Sequence, residues 1–139
     1  MIPPRYQLHF RACPSKPDAR LLSWIDAADE GLLYLSVLTL GEIRKGIAAR
    51  PASKRRVRLE SWFQVELRGR FSGHILPINL EIADRWGLIA ATAKKPGRPL
   101  IVIDGLLAAT ALHHNLALVS RNAADVAHVA VQFINPWTS

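Results

Sequence analysis

Apolar and polar positions along the chain alternate between short strand-like runs and longer stretches of helical period. After Pro17-Asp18, the stripe Leu21, Leu22, Trp24 and Ile25 predicts a helix over 18–29, with Asp18 near its N-cap and Gly31 ending it. Leu32 to Ser36 reads as a short buried strand. Ser36 then caps a helix from Val37 to about Ala49, stopped by Arg50-Pro51 and packed through Leu40, Ile43 and Ile47. Residues 52–70 predict a third helix with Val57, Leu59, Trp62, Phe63, Val65 and Leu67 inside. A short strand lies within Phe71–Pro77. Asn79 caps a helix from Leu80 to about Lys94, with Ile82, Ala83, Trp86, Ile89 and Ala90 inward. Lys95-Pro-Gly-Arg-Pro99 is a loop by its turn residues. A helix bearing Asp104 runs to His113-His114, and strands at Leu116–Ser120 and Val129–Ile134 follow, with the turn Arg121–Asp125 between them.

Strands that are almost continuously apolar, alternating with helices, imply a parallel sheet covered on both faces, a three-layer α/β/α architecture. In such sheets ligands bind beyond the carboxyl ends of the strands. The Glu42 helix follows one strand directly and the Arg121–Asp125 turn follows another, so both point at one rim.

Composition narrows the class. With 139 residues, half of them hydrophobic, the chain fits a single domain, 1–139, with a sizeable core. No apolar run is long enough to span a bilayer, and Met1-Ile-Pro-Pro-Arg is not a signal peptide, so a cytoplasmic protein is expected. Cys13 is the single cysteine, which excludes an internal disulfide and a CxxC site. Lys and Arg number 18 against 11 Asp and Glu, a net charge of +7, and a polyanionic partner is the economical explanation. The cations concentrate at Lys54, Arg55, Arg56, Arg58, Arg68 and Arg70.

The candidate chemistry is carboxylate chemistry. Asp104 stands in the most apolar segment and shares a helix face with Leu107, Ala108 and Ala111, where an unpaired charge would cost several kcal/mol. It either caps its helix or takes part in a site. Glu42 lies beside an apolar stripe, flanked by Thr39 and Gly46, whose small side chains leave room for a ligand or another backbone. With Asp125, these acids and the absence of a Cys/His cluster suit a hard cation, Mg²⁺ or Mn²⁺. The five histidines show no ligand spacing, and His113-His114 reads as a helix end favouring positive charge.

Four blocks, Tyr34–Gly46, Ile101–Ala111, Leu118–Asp125 and Asn135-Pro-Trp137, resemble PIN-domain proteins of the VapC/FitB-like toxin group in order and spacing. The resemblance covers roughly 17–137. It implies an α/β/α fold with a central parallel sheet, homodimerisation and Mg²⁺-dependent endoribonuclease activity. It also implies inhibition by a cognate antitoxin whose C-terminal segment lies across the site. The family's acids carry over onto Glu42 and Asp104, and a further ligand position falls on Asn122 or Asp125. Thr39 matches a small hydroxyl position, and Lys45, Arg55 and Arg56 are expected to meet RNA phosphates.

One segment departs from that pattern. The family's first strand ends in Leu-Asp-Thr-Asn, whose Asp is the first metal ligand, whereas this chain reads Pro4-Arg-Tyr-Gln-Leu-His-Phe10 and places Arg5 there. Codons for Pro4–Pro14 can be chosen that, read one base later, give Leu-Asp-Thr-Asn-Phe-Ile-Ser-Glu-Leu-Val. A compensated frameshift in the codons of Ile2–Pro4, closed near Pro14-Ser15, is the resulting hypothesis; an intact frame with other codons at the resequenced locus would sink it. Two expectations follow. Arg5, entering the site, would bridge Glu42 and Asp104 in place of a metal. A central strand would also have to hide Arg5, Gln7 and His9, so residues 1–16 are expected to be atypical and to pair poorly. An antitoxin-binding, dimerising module without activity is the alternative to a working nuclease.

Overall fold

The sheet is built outward from a four-residue strand, β1 (Tyr6–His9), to which the rest of the chain returns twice. The structure, a computed structural model, describes residues 5–10, 19–92, 102–120 and 132–134. The order of elements is β1, α1 (Ala19–Ala27), β2 (Leu33–Ser36), α2 (Val37–Ala48), α3 (Lys54–Ser61), a π-helical segment (Trp62–Leu67), α4 (Arg68–Arg70), β3 (Ile75–Leu76), α5 (Leu80–Thr92), α6 (Val102–His114), β4 (Ala117–Ser120) and β5 (Phe133–Ile134). The strands are parallel in the order β3-β2-β1-β4-β5, with Leu8 opposite both Leu35 and Val119. Helices cover both faces, as the sequence implied.

Each face has its own core. Leu8, Leu33, Leu35 and Val119 pack against Ile43 and Ile47 of α2, Ile25 of α1, and Phe63, Leu67 and Phe71. On the other face Leu118 packs with Leu107, Ala108 and Ala111 of α6. Small residues on α6 bring its backbone close to the sheet. Ser36 caps α2, its hydroxyl accepting from the Leu38 N–H at 3.0 Å, and Asn79 caps α5 by accepting from Ile82 N–H at 2.8 Å. At its far end α6 closes in a Schellman turn: Leu116 N–H donates to Ala111 O, Asn115 N–H donates to Leu112 O, and Asn115 takes the left-handed conformation at φ 56°.

The basic segment differs from its predicted packing. Val57 and Val65 are 66% and 68% exposed, not inside, and Ala83 of α5 also faces out. The buried stripe is Leu59, Phe63, Leu67 and Phe71, one residue in four. A repeat of four outruns a 3.6-residue turn by about 40° each time, and the wider π turn over Trp62–Leu67 takes up the excess.

The opening strand is also not as expected. β1 is paired on both sides, at the centre of the sheet. Arg5, just before the strand, and Gln7 and His9 within it alternate onto the α6 face, and each is dealt with differently. Arg5 is exposed at the strand's amino end and donates through Nη2 to His114 O at 2.9 Å. Gln7 is fully buried and donates through Nε2 to Leu107 O at 2.9 Å, while its Oε1 has no hydrogen-bond partner among the described residues. His9, also buried, lies with Nδ1 2.8 Å from Thr39 Oγ1. The cost of a polar central strand thus falls mainly on one amide oxygen.

Candidate functional site

Chain direction locates the crevice. From β1 the chain steps to β2 and β3 on one side, then crosses to β4 and β5 on the other. The switch point lies between β1 and β4, and ligands in doubly wound sheets sit just beyond the carboxyl ends of such strands. Those ends are His9 and Ser120, directly opposite one another in the register and both buried.

Two helices deliver side chains there. α2 starts immediately after β2, so Ser36 and Thr39, both fully buried, are at this rim and Glu42, half-buried, is one turn further along. A Cβ added at Gly46 would meet nothing within 4 Å, so the side of α2 next to Glu42 is open, as the spacing suggested. α6 runs back toward β4 and therefore begins at this rim. Its level is fixed by the Gln7–Leu107 bond. Two residues further along β1 is a rise of about 6.6 Å, which matches about four residues back along the helix. His9 is accordingly level with Ile103 and Asp104. Asp104, 9% exposed, occupies the first turn of α6, where the helix dipole favours a negative charge.

The rim thus gathers His9, Ser36, Thr39, Asp104 and Ser120, with Glu42 beside them. Asn122 and Asp125 lie outside the described residues. Among the described residues no group of three or more His, Cys, Asp or Glu could hold a metal ion. Lys45 and Arg55 are exposed on α2 and α3. Arg56 is engaged: its Nε donates to Glu60 Oε1 at 3.2 Å and its Nη1 to Arg50 O at 2.9 Å.

Arg5 requires a correction. It lies at the opposite rim, over the Tyr34 ring at 5.8 Å and bonded to the last carbonyl of α6, so it does not bridge Glu42 and Asp104. The reason is local: the end of α6 carries unpaired carbonyls and a negative dipole, a better place for an exposed guanidinium than a buried crevice. Arg5 supplies a positive group at that helix end. Burial, then His113 and Arg5, hold the His114 imidazole below its usual pKa and favour its neutral form. Ligand spacing does not mark His9 as a site residue in the sequence; the period-2 alternation of Arg5, Gln7 and His9 is the signal that does.

A family model for the PIN domain matches residues 11–131. The chain belongs to the PIN-domain family. It is 35% identical over 123 residues to the VapC ribonuclease Y4jK of Sinorhizobium fredii and 30% identical over 122 residues to Toxin FitB of Neisseria gonorrhoeae, with 88% of each chain covered in both comparisons. The crystal structure of FitAcB from Neisseria gonorrhoeae superposes with a TM-score of 0.85 at 27% identity, covering 96% of this chain and 99% of that one. The matched PIN span begins beyond β1, the strand whose end carries the first acid in the family pattern. At that end this chain has an imidazole bonded to Thr39, so the described donors do not fit an all-carboxylate cation site.

Proposed function

We propose that this chain is the toxin of a type II toxin–antitoxin pair, an endoribonuclease that cuts RNA phosphodiesters with Mg²⁺ or Mn²⁺ and is held in check by an antitoxin. The observation that carries the reading is the convergence of Asp104 and the Glu42 helix at the switch point of the sheet. The net charge of +7 suits an RNA partner, with Lys45 and Arg55 exposed to receive phosphates. The names of its relatives, a VapC ribonuclease and Toxin FitB, agree with it. Asn122 or Asp125 completes the proposed ligand set. The protein acts in the cytoplasm as a homodimer, alone or with its antitoxin bound.

A second reading, an inactive PIN domain that still dimerises and binds antitoxin, is favoured by one observation, His9 at the end of β1 where the family has its first acid. A ribonuclease assay on the full chain with Mg²⁺, Mn²⁺ or EDTA, together with growth on induction, separates the two. Metal-dependent cleavage that Asp104→Asn abolishes, with growth arrest, supports the nuclease. No cleavage and unimpaired growth from a folded dimer support the second reading.

A further inference from the structure

We infer that His9, not Arg5, occupies the place of the family's first carboxylate in this chain, and that its imidazole weakens the hold of the rim on a hard cation. The inference rests on the reading of the carboxyl rim as a divalent-cation site. Counted from the start of the chain, that carboxylate falls on Arg5. In the fold the place is the carboxyl end of the central strand, and β1 ends at His9. The two differ by four residues. An even shift keeps a residue on the same face of a strand, whereas an odd one would send it into the other core. Arg5, Gln7 and His9 therefore share the α6 side, and the slide has moved the whole polar row two steps toward the amino rim.

The surroundings of His9 agree. It is opposite Ser120 at the switch point, level with the Asp104 turn, and bonded to Thr39, three residues before Glu42 on α2. A carboxylate there would face Asp104 and the Glu42 helix and need a cation between them. A buried imidazole turned onto a hydroxyl needs none, and removes one negative charge and one oxygen donor. Arg5, some four residues away along the strand, is too far to contribute.

Binding of Mn²⁺ to the full chain tests this, by calorimetry and by the melting temperature with and without MnCl₂. His9→Asp is expected to bind Mn²⁺ at least tenfold more tightly than the unchanged chain. It should melt lower in EDTA and recover by several degrees with Mn²⁺. His9→Asn, which has the shape without the charge, should gain nothing, and adding Asp104→Asn to His9→Asp should remove the gain. Arg5→Asp should gain nothing. If Arg5→Asp gains and His9→Asp does not, the inference fails while the acidic-site reading stands. If neither gains although both fold, both fail. If the unchanged chain already binds as tightly as His9→Asp, the imidazole is itself a donor and the claim that it weakens binding of the ion is overturned. Should His9→Asp not fold in EDTA, refolding with MnCl₂ reads the same gain, and folding in neither condition overturns the inference.

Discussion

Gln7→Leu should stabilise the protein, although it removes a hydrogen bond from the centre of the sheet. Gln7 is fully buried between Tyr34 and Leu118 in the register and faces α6. Its Oε1 accepts no hydrogen bond from the described residues, and an unsatisfied buried polar atom costs about 1–3 kcal/mol. The bond it does make, Nε2 to Leu107 O, is worth about 0.5–1.5 kcal/mol, and Leu107 O keeps its acceptor role within the helix. Leucine is similar in volume and meets Leu107, Leu118 and the Tyr34 ring, but its branch point fits less freely than a straight chain, at a cost of up to about 1.5 kcal/mol. The balance, with the transfer of an apolar side chain added, is a gain of about 1–2 kcal/mol. For a chain of this length that raises the melting temperature by roughly 3–8 °C. Urea unfolding followed by circular dichroism measures it directly, and an unchanged slope shows that both states keep their compactness. Gln7→Glu is the counterpart: it loses the donor and buries a carboxylate against a carbonyl, so it should cost at least about 3 kcal/mol. A Gln7→Leu chain less stable by more than 1 kcal/mol would refute the reasoning, because the amide would then have to be fully satisfied.

Three other substitutions or conditions discriminate particular contacts. Phe63→Ala should cost about 3–5 kcal/mol whereas Val65→Ala, on an exposed position two residues on, should stay within about 0.5 kcal/mol in the same urea assay. Since the folded state holds His114 below its usual pKa, the unfolded chain binds more protons there; its contribution is complete above a pH of about 6.5 and is lost as the pH falls below it. Urea midpoints at pH 7.5 and 5.5 should show that loss, and His114→Asn should flatten it. For RNA held without cleavage, Lys45→Ala and Arg55→Ala should each weaken filter binding and lower the salt slope by about 0.7, whereas Arg56→Ala should act on stability, through its bonds to Glu60 and the Arg50 carbonyl.

Much of this fold could be read from residue pattern because local and long-range signals agree. Ser36 and Asn79 are caps in the sequence and in space, and the apolar strands are as buried as their composition requires. The basic helix departs from a 3.6-residue period, since a repeat of four at Leu59, Phe63, Leu67 and Phe71 is accommodated by a π turn that no propensity announces. Asp104 and Glu42 are conspicuous in the sequence as carboxylates beside an apolar stripe. His9 is not, because a histidine in an alternating segment resembles any half-polar strand, and only the strand's position in the sheet makes its last residue a rim residue.

The placement of β1 follows from what each end of the sheet can tolerate. A four-residue strand must be drawn from the segment Arg5–Phe10 with Tyr6, Leu8 and Phe10 toward the Leu35 core, since the other parity would bury Arg5, Gln7 and His9 among Ile43, Phe63 and Val119. That leaves only even slides. Sliding the strand so that Arg5 reached the carboxyl rim would bring Met1-Ile-Pro-Pro into the centre of the sheet, where two prolines withhold the N–H groups that ladders on both sides require. The prolines thus push the strand forward by four residues, the free guanidinium lands on the carbonyls ending α6, and an imidazole is left facing Thr39. The change at the rim is therefore the consequence of a constraint at the other end of the strand. Replacing Arg5 alone cannot undo it.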